Sequence, residues 1–331
     1  MPLPDNRAMH LLIPFAQCRS PESQKAFDTL VLPSLNRLLG QLQFTNSDSG
    51  DENSLSPPHE RALAAAYGLV SKSGSALADG CLPWGAGHAS RAGLMADGAS
   101  DSWAVITPAQ WAVQTNHITM ADPAALQLLE ADSRALLAVM APYFIEDGIR
   151  LVYDAPTRWL AAGEVFRGLA TASVDRVVGR HVDDWLPKTA AAKPLRRLQQ
   201  EMQMLLYTHA LTETRAAQGL PAVNSFWVSG TGVFSTGFDA NQNIVCPNGF
   251  RDAAVNENWP AWAKAWQDID ANECAAALAA LQRAEPVTVT LCGERNAWRY
   301  ERGNPGLFHW LNRGISKISG HQVTNNLRNQ L

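Results

Sequence analysis

The strongest periodicity in the chain runs from 193 to 208. Leu195, Leu198, Met202, Leu205 and Leu206 fall on one face, and Arg196, Arg197, Gln199, Gln200 and Gln203 on the other, as in a helix packed on one side. A second leucine stripe, Leu32, Leu35, Leu38, Leu39 and Leu42, predicts a helix over 30–42, and Trp259, Trp262 and Trp266 recur at helical spacing as core residues. Shorter helices are expected from 133 to a break at Pro142, and over 211–218 with Gly219 as the stop. Another is expected from Ser56-Pro57-Pro58, with Ser56 as cap and Glu60 in the first turn. A helix over 307–318 closes the chain. Strand-like apolar runs occupy 10–15, 149–154, 222–229 and 287–292, with Gly230-Thr231-Gly232 ending the third. The stretch 103–120 reads as strands turning at Thr107-Pro108 and Thr115-Asn116, and Asp122-Pro123 caps the helical region that follows. The polar stretch 45–54 reads as a surface loop, and 71–102, rich in Gly, Ala and Ser, as irregular. Helices and strands alternate without an internal repeat, so the expected class is α/β, a mixed β-sheet flanked by helices. The expected organisation is a single large α/β domain over 1–331, with a second lobe considered over about 40–120.

Composition narrows the function classes. Of 331 residues, 46% are hydrophobic and 18% charged, enough apolar mass for a sizeable core. The formal net charge of -4 argues against a nucleic-acid backbone partner but leaves room for a small basic pocket. The helix pair over 194–208 and 211–218 resembles helix-turn-helix spacing, yet its second member offers only Arg215 as a groove contact. Five cysteines, Cys18, Cys81, Cys246, Cys274 and Cys292, are odd in number and lack a CxxC spacing. They read as free thiols in a reducing cytoplasm, not as a zinc framework. The apolar run 9–16 leading to Cys18 is short for a lipoprotein signal, Asp5 lies beside Arg7, and Gln17 stands where a small residue is needed. It reads as a first buried strand, and no run is long enough to span a bilayer. The expected location is cytoplasmic.

Six segments, SPPHERALAAAYGL, WAVITPAQWAV, NHITMADPAAL, IRLVYDAPTRWLA, PLRRLQQEMQMLLYTHAL and LPAVNSFWVSGTG, lie between 56 and 232. They resemble the RpfE-type regulatory proteins, and PAWAKAWQDIDA adds a weaker match. That resemblance implies kinship and a regulatory role but little chemistry. A shorter stretch, His209 to Arg215, then Gly219, then Asn224 to Gly232, is similar to archaeal-type cofactor-independent phosphoglycerate mutase. That family carries a His-Pro-x-Asn-x-x-Arg run, a Gly, and Asn-x-x-Trp-x-Trp-Gly-x-Gly. His209, Arg215, Gly219, Asn224, Trp227, Gly230 and Gly232 match, while Ala210, Thr212 and Ser229 depart from the pattern. This resemblance implies descent from the alkaline phosphatase superfamily and a degenerate form of its fold.

The chemistry of that family needs two divalent cations to neutralise the transferring phosphate and to activate a Ser or Thr nucleophile. The resemblance places the first metal-binding Asp at the end of the first strand. Here that strand reads His10 to Gln17 and carries no carboxylate. None of the eight histidines pairs with another at HxH, HxxH or HxxxH spacing. No P-loop and no Gly-x-Ser-x-Gly occur. His181 with Asp183 and Asp184 could form a base and its orienting carboxylate, or a solvated loop; Trp84 and His88 would sit in a lid-like Gly-rich loop. The expectation is therefore a mutase-derived, non-catalytic regulatory protein that binds a small anionic metabolite or a protein partner. The alternative is a metal-dependent phosphotransferase or phosphatase. No catalytic residue, metal or cofactor is assigned. The candidate ligand-binding residues are His209, Arg215, Asn224, Ser225, Gly230 and Gly232, with His59 as a pocket wall. Arg215 would clamp the anion through its paired donors, and the glycines either make a turn or expose backbone N–H groups.

Overall fold

The computed structural model describes residues 8–69, 77–95, 101–113, 115, 117–233 and 242–303. In chain order the strands are β1 (Met9–Ile13), β2 (Gln43–Ser49), β3 (Ser102–Ala109), β4 (Trp111–Val113), β5 (Ile118–Met120), β6 (Arg150–Ala155), β7 (Arg158–Ala162), β8 (Ser225–Val233), β9 (Asn243–Val245), β10 (Val287–Cys292) and β11 (Asn296–Glu301). The chain divides into two compact units, one comprising 1–53, 57–68 and 239–331, the other 54–56 and 69–238.

The first unit holds a mixed sheet in the order β2-β11-β10-β1-β9, with β1 parallel to both β10 and β9, and β11 antiparallel to β10 and β2. Alternation along β1 decides its two faces. Leu11 and Ile13 enter a core with Val289, Leu291, Leu35, Leu38, Phe250, Trp262 and Trp266. The tryptophan stripe is core, as its spacing predicts: Trp262 and Trp266 meet edge to face at 6.3 Å on the helix Trp259–Ile269, and Phe250 meets Trp266 at 5.0 Å. Leu12 faces the other way and packs with Cys292, Ala297 and the helix Pro58–Ala66. Helices thus cover both faces of a mixed sheet, as the alternating pattern implies.

Two local expectations change in this unit. The first half of the polar stretch 45–54 is not a loop, because β2 pairs with β11 from Gln43 to Ser49. As an exposed edge strand it has no buried face to reveal itself by alternation. The leucine helix is shorter, Pro33–Leu39, and Leu32 provides no side-chain cap. Asp270 supplies one from far along the chain, accepting from Leu35 N–H at 2.7 Å and Ser34 N–H at 3.2 Å. It does so from a π-helical turn, Asp270–Cys274, inserted in the C-terminal helical run.

The second unit carries an antiparallel sheet, β6-β7-β3-β8, and a two-stranded ribbon, β4-β5. The helix Lys193–Tyr207 lays Leu195, Leu198, Met202 and Leu206 on one sheet face with Ile106, Phe226 and Val228. Burying four such side chains contributes on the order of 1.5–3 kcal/mol each. The helix Glu130–Glu146 runs through Pro142 and does not break there. Pro142 lies on the exposed side, where the missing N–H leaves no buried acceptor behind. No turn forms at Thr107-Pro108 either, since β3 continues to Ala109 along β8. Its pairing with β7 stops at Ile106, so Pro108 removes no bond on that side.

The expected irregular stretch 71–102 contains the helix Trp84–Arg91. Its buried residues are Gly85, Ala86, Gly87 and Ala89, and a Cβ on Gly85 would lie 2.5 Å from the Ala104 carbonyl carbon. Small residues permit this close approach, and they leave no apolar stripe to read. β8 likewise passes through Gly230-Thr231-Gly232 to Val233 instead of stopping. Ser56 does not cap the helix Pro58–Ala66, whose cap residue is Pro57; the Ser56 hydroxyl accepts from Gly80 N–H at 2.9 Å. The helix expected over 307–318 lies outside the described residues. No helix among the described residues is long and apolar enough to cross a membrane.

Candidate functional site

The parallel pairing of β9, β1 and β10 brings their carboxyl ends side by side in the first unit, the edge at which α/β sheets bind ligands. Just past β1 the chain turns sharply. Phe15 adopts φ +50°, a left-handed conformation that costs a bulky residue on the order of 1–3 kcal/mol. Tertiary bonds hold it: Trp262 Nε1–H donates to Phe15 O at 2.9 Å, and Ala16 N–H donates to Cys292 O at 2.7 Å. The Phe15 ring lies 4.9 Å from the His59 imidazole.

This turn delivers Gln17, a side chain only 3% exposed. Its Nε2 donates to Cys18 O at 3.3 Å, which sets the orientation of the amide, and Oε1 has no partner among the described residues. An unpaired buried acceptor costs about 1–3 kcal/mol, so its persistence at a sheet's ligand edge marks a place for an incoming donor. Against the Phe15 ring, His59 and its neighbour Glu60 lie in the first turn of the helix Pro58–Ala66 and bring an imidazole nitrogen and a carboxylate oxygen within 4.8 Å of each other. These are two ligands of the kind a divalent cation accepts.

The neighbouring thiols are unsuited to nucleophilic work. Burial and the Glu294 carboxylate push Cys18 up to about 12. Burial raises Cys246 to about 11 and holds Cys292 well above the ordinary thiol range. All three are therefore protonated at neutral pH, and the thiolate is the reactive form.

The mutase-like stretch lies in the second unit, and its side chains have separate employments. His209 is the cap of the helix Ala210–Ala217, its Nδ1 accepting from Leu211 N–H at 3.2 Å. Arg215 is 3% exposed. Its Nε–H donates to Pro221 O at 3.0 Å, a second nitrogen donates to Leu126 O, and a third lies 3.4 Å from Asp132 Oδ2. Asn224 pairs with the backbone of Trp111 through both amide atoms, at 2.8 and 2.9 Å. Ser225 begins β8 opposite Ala109, fully buried, with no partner for its hydroxyl among the described residues. Gly230 takes φ +63°, and a Cβ there would sit 2.9 Å from Trp84 Cβ; at Gly232 it would sit 3.0 Å from Pro83 Cβ. The two glycines admit the helix Trp84–Arg91 onto β8. Arg215 and Asn224 thus bond protein groups on different segments.

His181 lies 3.5 Å from Asp184 and 3.7 Å from Asp183, both mostly exposed, with the His117 ring at 5.7 Å; such solvated pairs contribute little. Trp84 and His88 belong to a helix packed on β3 and β8, not to a lid. Sequence reasoning gave Phe15 and Gln17 no binding role. The only signal available for Gln17 was its position directly after the first strand, and nothing local announces the strain at Phe15.

No family model matches this chain, and no characterised protein matches it in sequence. Among solved structures it is similar to the cofactor-independent phosphoglycerate mutase of Thermoplasma acidophilum, with 13% identity, 90% of each chain covered and a TM-score of 0.36. It is also similar to a protein of Pyrococcus horikoshii, with 12% identity, 90% of this chain and 88% of that chain covered, and a TM-score of 0.40. Likenesses of this size say nothing of activity.

Proposed function

We propose that the protein is a mutase-derived, RpfE-type binding protein with a regulatory role, which takes a small anionic metabolite at the carboxyl end of β1 and does not transfer phosphate. The observation that supports this is the Gln17 amide, buried with a vacant acceptor where a two-metal phosphotransferase would need a carboxylate. A neutral amide cannot offset the charge of two cations, but it reads an O–H or N–H donor with direction. A hydroxy acid or an amino acid would offer such a donor together with its anionic group. A cytoplasmic setting and a protein partner for the liganded form complete the proposal.

The second reading is a metal-dependent phosphotransferase or phosphatase, favoured by the His59 and Glu60 pair. The test is 3-phosphoglycerate with excess manganese, followed by elemental analysis of the recovered protein. The binding reading expects no interconversion to 2-phosphoglycerate and fewer than two metal equivalents per chain. It also expects Gln17→Leu to weaken metabolite binding by roughly 2- to 12-fold, the size of one neutral hydrogen bond. Turnover accompanied by two bound metals would establish the second reading instead.

A further inference from the structure

Tertiary pairing in the second unit brings together two histidines that sequence spacing keeps apart. His117 stands just before β5, and His181 is the cap residue of the short helix Val182–Trp185. An isolated antiparallel bridge joins Thr119 to His181, and a parallel one joins Met120 to Val178. Met120, Val177 and Val182 are fully buried in one cluster, so the backbone that carries both histidines is anchored. Their imidazoles meet edge to face, with ring centroids 5.7 Å apart.

Two carboxylates flank one of these rings. Asp184 Oδ2 lies 3.5 Å from His181 Nδ1, and Asp183 Oδ2 lies 3.7 Å from Nε2. A carboxylate beside Nδ1 favours the tautomer that carries its proton there, which directs the Nε2 lone pair toward Asp183. Tetrahedral zinc, with bonds of about 2.0–2.2 Å to nitrogen and oxygen, holds neighbouring ligand atoms roughly 3.3–3.5 Å apart. The 3.7 Å between His181 Nε2 and Asp183 is close to that span. His117 is exposed, and turning its ring toward His181 brings a nitrogen of each to about the same separation. The exposure that makes ion pairs here worth little leaves these atoms open to an ion from solvent. Charge agrees: Arg180, adjacent in sequence, lies over the Trp185 ring at 5.6 Å, and two carboxylates outweigh it.

We propose that His117, His181 and Asp183 bind one divalent transition-metal ion of the zinc type, with Asp184 orienting the His181 imidazole from the far side of its ring. Two imidazole nitrogens and a carboxylate oxygen suit such an ion, whereas magnesium and calcium take oxygen ligands. This site is independent of the β1 end. The bland alternative is that Asp183 and Asp184 only complement the helix N-terminus.

The test uses the full chain, stripped of metal with a chelator, its histidines isotope-labelled, and titrated with zinc chloride alone and then in excess magnesium. The expected result is a bound zinc ion that shifts the His117 and His181 imidazole resonances together and is not displaced by magnesium. His117→Ala, at an exposed position, should weaken zinc binding at least about tenfold, and Asp183→Asn should do the same. Asp184→Asn should weaken it roughly tenfold and also change the His181 tautomer in the metal-free protein, which loss of a helix-terminal charge alone would not do. Zinc that moves the His59 resonance while His117 and His181 stay still overturns the proposal and places the ion at the β1 end instead. Displacement by magnesium, or zinc affinity unchanged in His117→Ala, overturns it as well.

Discussion

Replacing Arg215 separates a structural role from a ligand role most cleanly. In Arg215→Met the side chain keeps most of its volume and loses every donor. Two of its bonds go to backbone carbonyls, Pro221 O and Leu126 O, and the guanidinium itself is 3% exposed. A hydrogen bond with one charged partner is worth about 1.5–3 kcal/mol. Asp132 is 37% exposed, so its ion pair adds less than about 1 kcal/mol. The expected loss is therefore roughly 3–6 kcal/mol, a large share of the 5–15 kcal/mol typical of a whole domain. Urea unfolding followed by tryptophan fluorescence reads it, because Trp103, Trp159 and Trp227 lie in the same unit. Arg215→Lys should recover only part of the loss, since a compact ammonium does not reproduce the spread of the guanidinium nitrogens that bond Pro221 O and Leu126 O together. Binding of a small anionic metabolite should be unaffected in any fraction that remains folded. A loss below about 1 kcal/mol, combined with weakened anion binding, would refute this account and return Arg215 to a ligand contact.

His10 is buried, bonded through Nε2 to Thr290 Oγ1 at 2.8 Å, and held down to about 4 by burial and then by Arg299. The unfolded chain, titrating near 6.5, binds the proton that the folded chain refuses, so stability falls as pH drops from 6.5 toward 4 and is complete above 6.5. The size is about 3 kcal/mol; His10→Gln should remove that part of the slope, and an identical pH profile would contradict the assignment. Gly85→Ala should cost at least about 2 kcal/mol by driving a methyl into Ala104, whereas unchanged thermal stability would mean that the helix Trp84–Arg91 can lift. Cys18, Cys246 and Cys292 should alkylate with iodoacetamide at pH 7 more than ~100-fold more slowly than a free cysteine, which peptide mass mapping checks; rapid labelling of Cys18 would show that the turn after β1 opens.

Where a helix or strand buries one face, local pattern was sufficient. The stripe Leu195, Leu198, Met202 and Leu206, the tryptophans of Trp259–Ile269 and the apolar run of β1 are all legible because burial imposes a period of 3.6 or 2. The mixed sheet flanked by helices follows from their alternation, and the want of a carboxylate after β1 is visible in Gln17 itself. The failures share one cause, which is that the deciding partner is distant in sequence. β2 is a strand because β11 offers its edge. The helix Trp84–Arg91 is built from glycine and alanine because β3 lies against it. The helix Pro33–Leu39 is capped by Asp270, some 235 residues away. The same holds for function. Similar motifs at Arg215, Asn224 and Gly230 suggested a pocket, but tertiary contacts bind them to Leu126, Trp111 and Trp84. Conversely, no local pattern could show that Phe15 takes a left-handed conformation just before the buried Gln17. A sequence determines which groups are available; whether a donor is spent or left vacant depends on what the fold places within about 3 Å of it.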